Sequence, residues 1–180
     1  METWENDEVI YDGRIIRLRT GEVKLDDGTL APREVVDHPG GVAVVPFFDG
    51  KVYLVRQYRI AVGDDVLELP AGRLEGDEDP AERAAAELEE EAGFTGGRLV
   101  HVASCYASPG FTNELDHIFL GLDLKKTEAH PEFDEVLELV ELTLEQVSDM
   151  LDRLVFTDAK TIIGLRELQR YLADNPALRG

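Results

Sequence analysis

The chain is short of several things, and each shortage excludes something. One cysteine, Cys105, stands among 180 residues, so no disulfide can close within the chain. It falls in a strand pattern and reads as a small buried apolar residue, and a cytoplasmic protein is expected. Basic residues are scarce, with 18 Lys and Arg against 38 Asp and Glu and a formal net charge of −20. Broad, sequence-independent binding to nucleic acid rests on Lys and Arg meeting phosphates, so no nucleic-acid partner is expected. No stretch approaches the roughly eighteen consecutive apolar residues of a membrane-crossing helix. The acidic run Met1–Glu8 lacks the apolar core of a signal peptide, so no membrane partner is expected either. There are no internal repeats and no low-complexity linker. His38, His101, His117 and His130 show no metal-ligand spacing.

What is present suffices for a real core, since 43% of residues are hydrophobic. The length fits one domain of ordinary size with a small appendage. Residues 8–38 read as a small antiparallel sheet: Val9–Tyr11, Arg14–Leu25 and Thr29–His38, separated by the turn signals Asp12-Gly13 and Asp26-Asp27-Gly28. From Gly40 an alternation of strands and helices begins. Strands are predicted at Val42–Phe48, Lys51–Tyr58, Val66–Leu69, Leu99–Cys105, Leu115–Asp123 and Val136–Leu142. A short helix is capped by Thr143 and Gln146, and a last helix opens at Thr157 or Asp158 and runs to about Ala173. This gives a domain division of 1–38 and 39–180.

The most informative segment is Pro80–Gly93. Asp79 is a good N-cap, Pro80 suits the first helical position, the alanines favour helix, and Gly93 can end it. At about 100° per residue, Glu87, Glu90 and Glu91 fall within roughly 100° of arc, and Glu89 points away. Carboxylates at this spacing repel by a few tenths of a kcal/mol per pair. Such a face either is a solvated surface or awaits a cation, and oxygen-only ligands suit Mg²⁺ or Mn²⁺.

Upstream, Leu67-Glu68-Leu69-Pro70-Ala71-Gly72 reads as a strand entering a tight loop. Gly72, five residues, Glu78, seven residues and then Ala86-Glu87-Leu88-Glu89-Glu90-Glu91-Ala92-Gly93-Phe94 resembles the Nudix box, Gly-x5-Glu-x7-Arg-Glu-U-x-Glu-Glu-x-Gly-U, with U a bulky apolar residue. One position departs: the family's arginine, which holds a box glutamate by an ion pair, is Ala86 here. Arg83, four residues before Glu87 on the same face, is the candidate replacement.

Two further segments resemble the ADP-ribose pyrophosphatase branch of that family. Pro109, sixteen residues after Gly93, matches its marker proline within Ser108-Pro109-Gly110-Phe111. Val55-Arg56-Gln57-Tyr58-Arg59 matches its arginine-bearing strand, with Arg56 and Arg59 on opposite faces.

The resemblance implies an α/β fold, a Nudix α/β/α sandwich with a mixed sheet plus a small N-terminal antiparallel sheet. It implies metal-dependent hydrolysis of the pyrophosphate of ADP-ribose or another nucleoside diphosphate sugar, and a homodimer in which the N-terminal strands contribute. Glu87, Glu90, Glu91 and the Ala71 carbonyl would bind Mg²⁺ or Mn²⁺. Arg59, Arg56, Pro109, Gly110 and Phe111 would contact substrate, with Tyr11 or Ile15 stacking on the adenine. Glu90 and Glu91 are also expected to take part in catalysis. The general base would lie in the acidic loop before the strand Val136–Leu142, with Glu135 the best match and Glu132 and Asp134 as alternates. Action on nucleoside triphosphates or capped RNA, or a non-catalytic module sensing a nucleotide metabolite, remain alternative expectations.

Overall fold

The computed structural model describes residues 1–131 and 136–179. The chain divides into two compact units, one of Met1–Gly40 with Cys105–Leu115, the other of Gly41–Ser104 with Asp116–Gly180.

In the first unit β1 (Thr3–Asp12), β2 (Arg17–Lys24) and β3 (Leu30–Asp37) form an antiparallel sheet in that order. β1 begins six residues before the apolar pattern at Val9. The polar stretch from Thr3 carries no alternation of its own and becomes strand by pairing with β2, with Thr3 opposite Lys24. Arg19 holds the sheet's three strands together, bonding Asp37 at 2.6 and 3.1 Å and Asp7 at 3.0 Å. The Pro109-Gly110-Phe111 segment belongs to this unit. The Val36 N–H donates to the Phe111 carbonyl at 2.7 Å, and Thr112 bridges to Val36.

The second unit is built on a mixed sheet ordered β12 (Glu138–Thr143), β5 (Lys51–Arg59), β4 (Gly41–Phe48), β10 (Leu115–Leu122) and β9 (Arg98–Tyr106). β10 runs parallel to β4 and the β4–β5 and β5–β12 pairs are antiparallel. β4 and β5 leave their tight turn, where Asp49 and Gly50 both take positive φ (50° and 70°), but stay paired only through Phe47–Val52 and Phe48–Lys51. They then diverge. β6 (Asp64–Glu68) pairs with β5, and β7 (Ala71–Arg73) pairs with β4. The predicted loop after Leu69 is therefore a Leu-Pro crossing between two short strands, with the Pro70 carbonyl accepting from the Val44 N–H at 2.9 Å.

Helices cover both faces of this sheet. Helix α1 (Pro80–Ala92) lays Ala84, Leu88 and Ala92 against Val42, Val44, Phe94 and Phe119. On the opposite side, helix α3 (Ala159–Asp174) brings Gly164 so near Val45, Leu69 and Ile118 that an added Cβ would sit 2.8–3.2 Å from their side chains. β4 is consequently buried on both faces, which is why it reads as an unbroken apolar run. Helix α2 (Leu144–Asp152) starts in a capping box of Thr143 and Gln146. Short strands β8 (Phe94–Thr95) and β11 (Lys125–Lys126) pair with each other. Cys105 is half-buried rather than buried, near the end of β9.

Candidate active site

Helix α1 begins and ends as its sequence dictates. The Asp79 carboxylate accepts from the Ala81 N–H at 2.7 Å, and Gly93 takes the left-handed conformation (φ 66°) with its N–H on the Glu89 carbonyl. The apolar stripe against β4 is narrow, and Glu87 and Glu91 lie beside it, only 4% and 6% exposed. Glu89 faces solvent. Four acids in the last turn and a half, Glu87, Glu89, Glu90 and Glu91, sit at the negative end of the helix dipole, where carboxylates are disfavoured. That placement costs stability and needs compensation from elsewhere.

The compensation is visible. Arg83, one turn before Glu87, donates through Nη2 to Glu87 Oε1 and lies 3.7 Å from Glu90 Oε2. Its Nε–H is buried without an acceptor among the described residues. Burial works against the Arg83 charge, but Glu87, then Glu90 and Glu78, outweigh it and raise its pKa. Glu91 Oε2 accepts from the Ala71 N–H at 2.9 Å, tying the helix to β7. A Cβ on Gly72 would lie 1.5 Å from Glu87 Oε1, so only glycine leaves room for that carboxylate. The spacing between Gly72 and Glu87 thus has a steric meaning: one supplies the hollow that the other fills.

A second charged group adjoins. Arg59, on β5, forms a two-pronged pair with Glu68 at 2.7 and 3.1 Å, and Glu68 is 4% exposed. Burial lowers the Arg59 pKa, but Glu68, with further contributions from Glu91 and Asp158, raises it overall. Arg56, on the other face of β5, pairs with Glu138 of β12 at 3.1 Å on the surface. At the start of α3, Asp158 caps the helix, accepting from the Thr161 N–H and hydroxyl at 2.9 and 2.7 Å, with Lys160 at 2.8 Å.

A model of the NUDIX domain matches residues 37–164. The chain belongs to the NUDIX family. The chain is 39% identical to an ADP-ribose pyrophosphatase of Bacillus subtilis (strain 168) over 165 residues, covering 90% of this chain and 89% of that one. It is 38% identical to a methanol dehydrogenase activator of Bacillus methanolicus, with the same coverage. It is 30% identical to a GDP-mannose pyrophosphatase of Cronobacter sakazakii, covering 86% and 87%. In fold it is similar to a crystal structure of an ADP compounds hydrolase, with TM-score 0.86 and 22% identity over 99% of this chain and 97% of that one. The α/β fold expected from the box, a mixed sheet between helices with a separate small antiparallel sheet, is the one observed, and the protein is a Nudix pyrophosphatase.

Within the NUDIX box, Glu87, Glu90, Glu91 and Ala71 come together on α1 and β7, with Arg59 close enough to feel Glu91. Pro109, Gly110 and Phe111 lie in the other unit, where Phe111 is 54% exposed. Glu135, with its alternates Glu132 and Asp134, falls outside the described residues. The loop's first half is placed: the Thr127 N–H donates to the Gly93 carbonyl and the His130 N–H to the Glu90 carbonyl, both at 2.8 Å. The sequence marks Asp158 only as a helix opening, which it is, and gives Glu68 and Thr161 no role. The signal was present for Glu68, an acid inside an apolar strand run, but its partner Arg59 could be named only from the pairing of β5 with β6.

Among the described residues no three His, Cys, Asp or Glu side chains already converge as a metal cage. The donors nonetheless suit a hard divalent cation: carboxylate and carbonyl oxygens with no nitrogen or sulfur, a hollow at Gly72 kept clear for Glu87, and more acid than base on one face. Mg²⁺ retains several waters, so two or three such ligands suffice. No helix among the described residues is long and apolar enough to cross a membrane.

Proposed function

We propose that this protein hydrolyses ADP-ribose to AMP and ribose 5-phosphate, accepts other nucleoside diphosphate sugars, and uses Mg²⁺ or Mn²⁺. The observation that carries the reading is the buried pair Glu87 and Glu91, held by Arg83 and the Ala71 N–H on one face of α1. The substrate class rests on the pyrophosphatase relatives from Bacillus subtilis and Cronobacter sakazakii.

Glu87 and Glu91 would hold the cation, with Glu90 beside them and the Ala71 carbonyl as a backbone ligand. Bound there, a divalent cation supplies Lewis acidity toward phosphoryl oxygens and lowers the pKa of a coordinated water. Arg83 fixes the Glu87 carboxylate, and β7 fixes that of Glu91. Arg59 and Arg56 serve as phosphate-binding cations, kept extended by Glu68 and Glu138 until substrate competes for them. Pro109, Gly110 and Phe111 contact the substrate. Glu135 accepts the proton of the attacking water, at the end of a loop whose beginning is hydrogen-bonded to the last turn of α1. The protein acts as a cytoplasmic homodimer, residues 1–38 forming its dimerisation and substrate-contacting extension to the catalytic domain 39–180.

The test is AMP release from ADP-ribose with and without Mg²⁺, beside Glu91→Gln and a panel of nucleotide sugars. Losing a charged cation ligand forfeits several kcal/mol of transition-state stabilisation, so the variant should turn over at least about a hundredfold more slowly. Absence of turnover of every diphosphate by the folded protein would sink the reading.

A further inference from the structure

We propose that Thr161, on the far side of the sheet from α1, is a positioning residue that sets the metal affinity of the box through Leu69-Pro70-Ala71. The inference rests on the metal-binding reading of Glu87 and Glu91.

Three hydrogen bonds in a row fix this short crossing. The Leu69 N–H donates to Thr161 Oγ1 at 2.9 Å, the Pro70 carbonyl accepts from the Val44 N–H at 2.9 Å, and the Ala71 N–H donates to Glu91 Oε2 at 2.9 Å. Thr161 is wholly buried, and its hydroxyl both accepts from Leu69 and donates to Asp158 Oδ2 at 2.7 Å. Asp158 is in turn neutralised by Lys160 at 2.8 Å. Gly164, one turn further along α3, lets the helix approach Leu69 so closely that a Cβ would lie 2.8 Å from its Cδ1. The start of α3 therefore grips one end of a three-residue segment, and Glu91 grips the other.

Proline stiffens the middle of that segment. A shift of the Leu69 amide would be carried to the Ala71 amide, and with it to the Glu91 carboxylate and the Ala71 carbonyl. Groups that orient ligands from behind typically change metal affinity by about 10–100-fold when removed. Thr161 does this without touching cation or substrate. Its hydroxyl is what matters: valine has nearly the same shape but leaves the Leu69 N–H without its acceptor.

The experiment is titration of Mn²⁺ into the full-length protein without substrate, read by electron paramagnetic resonance, for wild type, Thr161→Val, Thr161→Ser and Thr143→Val. Thr143 caps α2 with a bond of the same kind, Gln146 N–H to Thr143 Oγ1 at 3.2 Å, so its loss controls for general destabilisation. Weakening of Mn²⁺ binding by about tenfold or more in Thr161→Val, with Thr161→Ser and Thr143→Val near wild type, supports the proposal. Unchanged affinity in Thr161→Val overturns it, as does an equal loss in Thr161→Val and Thr143→Val. Wild-type protein that binds no Mn²⁺ would overturn the metal reading itself, and the inference with it, and is distinguished by failing before any variant is compared.

Discussion

At the start of α3, Asp158 faces Lys160 at 2.8 Å and takes two hydrogen bonds from Thr161. On α1 and its neighbours, Glu68, Glu87, Glu90 and Glu91 face two guanidiniums, those of Arg59 and Arg83. The first group is largely removed from water, whereas in the second Glu68, Glu87 and Glu91 are buried but Arg59 and Glu90 keep 43% and 41% of their side chains exposed. The first is matched charge for charge and behaves as a fold element: a cap, a latch and its counter-ion. The second carries an excess of carboxylate at the wrong end of a helix dipole. Crowding carboxylates at that end is costly, so this face, unlike the start of α3, is the one to which a further cation would add stability.

Removing Arg83 should break this comparison most visibly. Arg83→Ala leaves Glu87 buried beside two other acids with its guanidinium gone. Stranding one partner of a buried pair costs about 3–5 kcal/mol, a fall in Tm of roughly 10 °C for a chain of this size. Mg²⁺ should restore more stability to the variant than it adds to wild type, because the cation then replaces a missing charge as well as binding. Thermal unfolding with and without Mg²⁺ checks this. Equal Mg²⁺ shifts in the two proteins would mean that Arg83 and the cation do not address the same carboxylates.

Gly72→Ala sharpens the comparison from the steric side. The new Cβ would overlap Glu87 Oε1 at 1.5 Å, so the carboxylate must swing away from its hollow. Overpacking of this kind costs about 1–3 kcal/mol, and Mg²⁺-dependent AMP release should fall further than stability alone explains. Activity and Tm measured on the same preparation decide it. A variant as active as wild type would show that the seat of Glu87 in that hollow is unimportant to turnover.

How much of this was legible beforehand follows from where each interaction lies along the chain. The face of α1, its caps and the Arg83–Glu87 pair are set within single helical turns, and the spacing of Asp79, Arg83, Glu87 and Gly93 displays them directly. The mixed sheet between helices also followed from the strand and helix pattern together with the box resemblance. The Leu69–Thr161 bond joins residues 92 apart, and no periodicity announces it. Strand β7 was hidden because Ala71-Gly72-Arg73 has no strand propensity and becomes strand only where β4 and β5 part. β1 extends back to Thr3 for a similar reason: a polar run with no pattern of its own borrows order from the strand it pairs with.

The matched pair on α3 supplies the mildest test, through pH. Burial pushes the Asp158 carboxyl up, but the Lys160 ammonium and the bonds from Thr161 outweigh it and hold its pKa below the ordinary value of 3.8. A carboxyl lowered by folding stabilises the folded state fully above its unfolded pKa and loses that contribution as pH falls through the folded one. Asp158→Asn keeps an acceptor for both Thr161 bonds and removes the charge facing Lys160 together with the Oδ1 acceptor of the Lys160 bond. The difference in Tm between wild type and this variant should therefore be a few degrees and constant at neutral pH, then close as pH drops below about 3.8 toward the depressed value. Unfolding curves for both proteins across that range measure it. A gap that persists undiminished in strong acid would show that the carboxylate's charge is not what stabilises the start of α3, and the contrast with the acid face of α1 would lose its balanced member.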